Sequence, residues 1–219
     1  MAAEISAKLV KELREKTSAG MMDCKKALQE ADGDFEKAEE ALKKKGLATA
    51  TKKSGRIATE GIVEAYIHMG GKLGILVEVN CETDFVARRT EFQELARNVA
   101  MQIAACPQVQ FIKAADIAPE IAEREKKIEM DKDDLGNKSR EIKEKIVEGR
   151  IQKKLKEMVL LEQPFIRDSS MTIEELLKKN ISTLGENIQI RRFERFVLGE
   201  GLEKKNENFS DEVEKMIKK

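Results

Sequence analysis

Two runs rich in isoleucine and valine, Gly61 to Ile67 and Leu73 to Cys81, flank a glycine pair, Gly70-Gly71, in a chain that elsewhere mostly repeats with the period of a helix. Runs joined this way read as an antiparallel hairpin. A third strand-like run, Ile188 to Leu198, can complete a three-stranded sheet. So small a sheet cannot close on itself and must bury a face against helices. The expected class is therefore α+β, helices packed on a small three-stranded antiparallel sheet. Charged residues at 37% against 4% aromatics, with no tryptophan, favour long solvated helices over a β-sandwich.

Ahead of the hairpin, residues 1–54 read as a separate three-helix unit followed by a linker. Ile5, Leu9, Val10 and Leu13 make one apolar stripe, which Thr17-Ser18-Ala19-Gly20 interrupts. A second helix runs from about Met22 to Ala31 and stops at Asp32-Gly33. The third starts with Asp34 as N-cap, repeats Phe35, Ala38 and Leu42 on one face, and is expected to end at Gly46. Ala48 to Gly55, small and polar, reads as the linker.

Residues 55–201 form the expected core domain. Thr90 with Gln93 reads as a capping box for a helix bearing Phe92, Leu95, Ala96, Val99 and Ile103 on one side and stopped by Cys106-Pro107. From Pro119 to Glu162 the chain is helical and charged, with a narrow stripe of Ile142, Ile146, Ile151, Leu155 and Met158, and Gly136-Asn137 divides it in two. Thr172 and Glu175 form a further capping box for a helix ending near Gly185. Residues 202–219 are a charged tail of weak helical potential.

The chemistry-bearing residues are sparse. Cys24, Cys81 and Cys106 are far apart in sequence and His68 is the only histidine, so no zinc ligand set is present. Reduced, buried thiols are the expectation. His68 reads as a turn residue, and Gly70-Gly71-Lys72-Leu73-Gly74 fits neither phosphate-loop pattern and lies between strands. No cofactor or metal is expected, and the chain is not read as an enzyme. With 41 basic and 41 acidic residues, no bulk attraction to nucleic acid or an acidic membrane is encoded. No apolar run reaches the roughly 18 residues of a membrane span, and Met1-Ala2-Ala3-Glu4 shows no export signal, so a cytoplasmic protein is expected.

Three features remain as candidates for contact. Met21-Met22 fits either an adaptable interface or an ordinary core. Thr83-Asp84-Phe85-Val86, at a strand exit, fits either a functional loop or an N-cap beside a core ring. Lys43-Lys44-Lys45, Lys52-Lys53 and Arg56 could touch phosphates but are interleaved with acids and read as a solvated helix end.

At these positions the sequence resembles a known family. The run Leu9 to Leu28, through Thr17-Ser18-Ala19-Gly20-Met21-Met22-Asp23-Cys24, is similar to the N-terminal signature of bacterial translation elongation factor Ts, and Glu78 to Arg88, through Cys81-Glu82-Thr83-Asp84-Phe85-Val86, is similar to its second signature. Glu144 to Arg150, Leu160 to Phe165, and Arg192-Phe193 through Gly201 match in the same order, so the resemblance covers nearly the whole chain. Ser18 departs from the usual glycine. Long family members resemble two sheet-bearing subdomains, whereas this chain has residues for one.

The resemblance implies a guanine nucleotide exchange factor that binds elongation factor Tu, GDP-bound and nucleotide-free, and speeds GDP release. It implies that Asp84 and Phe85, flanked by Thr83 and Val86, disturb the partner's magnesium site, and that Leu13, Met21 and Met22 dock on its nucleotide domain. A cytoplasmic or organellar setting follows. The first fifty residues also resemble ubiquitin-associated three-helix domains, which leaves a binding-only adaptor as the rival reading, with a ribosome- or RNA-associated module behind it. Because Val63 and Ile67 alternate with Ile62 and Tyr66, and Leu76 and Leu73 with Ile75, Val77 and Val79, the sheet is expected to keep an apolar second face suited to a homodimer.

Overall fold

The computed structural model describes residues 5–17, 19–132 and 139–202. The opening Met1-Ala2-Ala3-Glu4, Ser18, the Gly136-Asn137 break and the tail from Glu203 lie outside the described residues.

Three helices come first: α1 (Ala7–Thr17), α2 (Met21–Glu30) and α3 (Phe35–Lys53). Their apolar faces meet in a small core of Val10, Leu13, Cys24, Ala27, Leu28, Ala38 and Leu42. At the end of α2 the chain turns through Asp32 (φ 50°) and Gly33 (φ 85°), with Gly33 N–H donating to Leu28 O. Asp34 then caps α3, its Oδ1 accepting from Lys37 N–H at 3.1 Å.

Helix α3 corrects the expectation about its end. Gly46 does not stop it, and the stretch from Ala48 expected as linker forms its last turns through Lys53. Two physical reasons combine. Alanine carries the strongest helix preference, and Thr49 and Thr51 turn their hydroxyls onto the carbonyls of Lys45 and Leu47, so neither competes for the helix amides. Ala50 is also buried in the main core of the molecule. A Cβ on Gly46 would sit 3.2 Å from Ser182 Oγ, so the glycine answers to a close helix crossing rather than to a stop.

The main core is built on β1 (Glu60–Ile67), β2 (Leu73–Cys81) and a late strand, β5 (Ile188–Val197), in the order β1-β2-β5, antiparallel throughout. Register pairs Ile62 with Val79 and Val77 with Phe193, and a bulge at Glu78/Val79 leaves Arg191 as the extra residue. Gly61 (φ 141°) crosses so close to β2 that a Cβ there would lie 2.1 Å from Val79 O; no other residue fits.

One sheet face is buried. Ile75, Val77, Val79 and Cys81 meet Phe92, Leu95, Ala96, Val99 and Ile103 of α5 (Thr90–Ala105), preceded by the single turn α4 (Asp84–Ala87). Leu73, expected beside Leu76 on the far face, packs against this core. The expected Thr90-Gln93 capping box is not formed: Arg89 is the N-cap and makes no side-chain cap bond. Because the chain enters straight from α4, Arg89 O accepts the amides of Phe92 and Gln93 instead.

After a 3₁₀ turn (Ala114–Asp116) come α6 (Pro119–Met130) and α7 (Arg140–Met158), paired as a helical arm. Val147 and Ile151 centre its apolar seam, with Ile146, Leu155 and Met130 around them; Ile142, expected in the stripe, faces solvent. A two-stranded ribbon, β3 (Pro164–Phe165) with β4 (Asp168–Thr172), follows, unannounced by any period in the sequence. Gln102, fully buried in α5, holds it: Nε2 donates to Pro164 O and Oε1 accepts from Ile166 N–H. The Thr172-Glu175 capping box then starts α8 (Ile173–Leu184) with both reciprocal bonds in place, and Gly185 (φ 79°) ends it.

The other sheet face carries Val63, Ile67, Leu76 and Phe196, all exposed. This matches the expected apolar second face.

Candidate functional site

Strand β2 ends with buried Cys81, after which Thr83 (φ −131°, ψ 153°) breaks the ladder and caps α4. Its Oγ1 accepts from Val86 N–H at 3.4 Å. Val86 and Ala87 are buried and anchor the turn. Geometry then forces Phe85 outward: on a single helical turn whose third and fourth residues face the core, the second faces away. Phe85 is 77% exposed. Large aromatic rings normally bury 150–250 Å² each, and this one is displayed to solvent on an anchored turn. The core-ring reading of Phe85 fails here, and the cap is Thr83 rather than Asp84.

Asp84 is half-exposed and pairs with Arg88 Nη2 at 2.8 Å along the same turn. An exposed pair of this spacing is worth about 0.5 kcal/mol or less. A partner can take over the Asp84 carboxylate at little cost.

The second candidate patch opens α2. Gly20 caps the helix with no side-chain bond, and Met21 and Met22 follow at 57% and 77% exposure. Asp23 ties this end to α3 through Lys45 Nζ at 2.6 Å. The core reading of these methionines therefore fails: both lie on the surface at a fixed helix start. Leu13 differs from the methionines. It is 0% exposed, inside the three-helix core, so it shapes that unit instead of touching a surface partner. Val86 stands in the same relation to Phe85. The two patches lie on different elements: α4 packs on β1, β2 and α5, while α1 and α2 pack on each other and on α3.

Most of the lysine cluster has an acidic or carbonyl neighbour. Lys43, Lys44 and Lys45 face Glu175, Glu40 and Asp23, Lys53 donates to Gly185 O, and Arg56 meets Glu82. Acids interleaved with these exposed cations offset their charge, which leaves no concentrated basic surface for phosphates. Nor do Cys81 and Cys106 supply a nucleophile. Burial pushes Cys81 up to about 11, reinforced by the Glu186 carboxylate, and burial also raises Cys106. A thiol that stays protonated does not attack. His68 Nδ1 lies 3.0 Å from Tyr66 Oη at the hairpin turn. Among the described residues no group of three or more His, Cys, Asp or Glu could hold a metal ion, and no helix is long and apolar enough to cross a membrane.

One site residue was not foreseen. Glu186, just past the C-terminus of α8, accepts from Thr83 N–H at 3.0 Å and from Thr83 Oγ1 at 2.6 Å. The two residues are 103 positions apart, and Gly185-Glu186 in sequence announces only a helix end.

Comparison with known proteins bears on what such a site is for. The family model described as Elongation factor TS matches residues 2–200. Elongation factor Ts, chloroplastic, of Rhodomonas salina is 75% identical over 219 residues, all of both chains, and that of Guillardia theta 73% over the same span. Elongation factor Ts of Synechococcus elongatus is 67% identical over 211 residues, 96% of each chain. A family match running through both exposed patches, with relatives this similar along their whole length, settles the assignment: the chain belongs to the elongation factor Ts family of translation elongation factors.

Proposed function

We propose that the protein is a guanine nucleotide exchange factor for elongation factor Tu, engaging both its GDP-bound and nucleotide-free forms. The observation that carries this reading is Phe85, exposed on a turn whose next two residues, Val86 and Ala87, are buried in the core. A GTPase holds GDP through a phosphate loop and a bridging Mg²⁺. A ring wedged beside that site, with the Asp84 carboxylate competing for the groups around the metal, weakens nucleotide binding. Linkage makes the effect reciprocal: the factor binds most tightly where nucleotide is absent. No bond is made or broken by the factor itself. Met21 and Met22 serve as the second anchor, Leu13 holding their helix in place from within, and Thr83 and Val86 support the Phe85 turn. The working compartment is the cytoplasm or, for an organellar form, the stroma or matrix.

The deciding experiment measures release of labelled GDP from elongation factor Tu with and without sub-stoichiometric protein. Faster release without GTP hydrolysis by the protein alone is expected. Unchanged release over a wide concentration range overturns the reading.

A second feature supports association of two copies. Val63, Ile67, Leu76 and Phe196 lie exposed on one sheet face, around the Glu78–Arg192 ion pair, and no described element covers them. Two such faces related by a twofold axis would bury each other. Sedimentation equilibrium at micromolar concentration tests this, and a mass of 24.7 kDa at every concentration removes it.

A further inference from the structure

Every polar group of Thr83 is engaged. Its N–H and hydroxyl donate to Glu186, its hydroxyl oxygen accepts from Val86 N–H, and its carbonyl accepts from the Cys81 thiol at 3.1 Å and from Ala87 N–H at 3.3 Å. Glu186 also takes Glu82 N–H at 3.1 Å, so one carboxylate receives three donors from two consecutive residues. The exchange runs both ways: Glu82 Oε1 accepts Asn187 N–H at 2.6 Å. Asn187, almost fully buried, donates through Nδ2 to Arg56 O at 2.6 Å and Ser54 O at 3.4 Å, and Lys53 reaches Gly185 O. Three separate stretches are joined here: the end of α3, the exit of β2 and the α8–β5 loop.

None of these bonds involves Phe85 itself. They fix the two residues immediately before Asp84, and thereby the direction in which α4 starts. A four-residue helix has no cooperative stability of its own. Its aim comes from the cap and from what holds the cap. Charge-assisted bonds to a carboxylate are the strong kind, and Glu186 supplies all three from outside the turn.

We infer that Glu186 is the positioning residue of the Phe85 turn: it acts through Thr83 to hold the exposed ring in its partner-ready direction, so that binding does not have to order it. The inference rests on the reading of Phe85 as the element that drives nucleotide release. Pre-set geometry of this kind lowers the ordering cost of association.

The test is a double-mutant cycle on full-length protein, read as the catalytic efficiency of GDP release from elongation factor Tu, with circular dichroism on each variant. Glu186→Ala is expected to lower efficiency about ten- to a hundredfold, the size of losing charge-assisted hydrogen bonds. Glu186→Gln, which keeps shape and one acceptor, should recover part of the loss. In a Phe85→Ala background, Glu186→Ala should add less than about twofold, because a residue acting through the ring has nothing left to position. If Phe85→Ala cripples exchange while the Glu186 variants are unaffected or add their full effect to it, the inference is overturned and the reading of Phe85 stands. If Phe85→Ala leaves exchange unchanged, both fall. A loss in both Glu186 variants that tracks loss of helical signal assigns the residue to folding and likewise overturns the inference.

Discussion

The sheet core and the α6–α7 arm solve the same problem in opposite ways. Around the sheet, twenty-two buried residues form one cluster dominated by Ile, Val, Leu and Phe, including Phe92 with no exposed surface. Among the described residues of the arm, only Val147 and Ile151 are buried as apolar residues, and two carboxylates, Glu125 and Glu129, are covered beside them. Glu125 meets Lys154 across the helix pair, while Glu129 meets Lys132 at 2.5 Å and Arg150 at 3.7 Å. The core is closed by removing oil from water, the arm by matching charges over a thin seam. A seam so narrow buries too little apolar area to hold two helices of 12 and 19 residues by itself.

The contrast can be broken first at its strongest point. Phe92→Ala should destabilise the protein by about 3–5 kcal/mol in urea unfolding, the usual cost of deleting a core ring. A loss below about 1 kcal/mol would mean that α5 is not the keystone of the sheet core. In the arm, Val147→Ala removes two methyl groups from the centre of the seam, a loss of about 1.5–2 kcal/mol. Hydrogen exchange should locate that loss in α6 and α7 while α5 amides keep their protection; a uniform change throughout would show the arm and core to be one cooperative unit.

The ionic side of the arm gives a smaller, condition-dependent effect. Lys132, with help from Arg150 and Lys154, holds Glu129 below the usual carboxylate range. A carboxylate lowered on folding stabilises above its unfolded value and loses that contribution as pH falls through the folded one. Arm protection should therefore weaken below about pH 4.5, and at neutral pH added salt should weaken it more than core protection. Glu129→Gln should weaken both dependences, leaving the Glu125–Lys154 pair in place; salt and pH profiles identical to those of the unaltered protein would deny the Glu129 pairs any role. Smallest of all, Ile67→Lys on the open sheet face should change monomer stability by less than about 0.5 kcal/mol, as for other exposed positions. Any larger effect that grows with protein concentration would show that face to be covered by a second copy.

Legibility in the sequence followed the range of the forces involved. The hairpin around Gly70-Gly71, the Asp34 cap, the Thr172-Glu175 box and the α5 stripe are all decided within a few residues, and all are observed. Gly46 reads locally as a stop for α3, but the reason for that glycine is Ser182, on another helix. The β3–β4 ribbon escaped because a two-residue strand has no period to read, and its anchor, Gln102, belongs to α5. For the site, residue types alone left Phe85 open to a core reading; the family resemblance turned it outward, and the anchored Val86 and Ala87 supply the geometric reason. Glu186 could not be seen at all without knowing that α8 ends beside β2.

Helix α3 has a last consequence. Leu42 belongs to the three-helix core and Ala50 to the sheet core, and no break separates them. At 1.5 Å per residue the two anchor points are about 12 Å apart along a stiff rod. In the complex proposed above, the methionine patch and the Phe85 turn would act like the jaws of a caliper set to one opening, not like two beads on a string. A string lets a bivalent binder fit many spacings and charges an entropic toll each time both ends engage. A caliper pays no such toll on the surface it was set for, and it cannot grip one of another width.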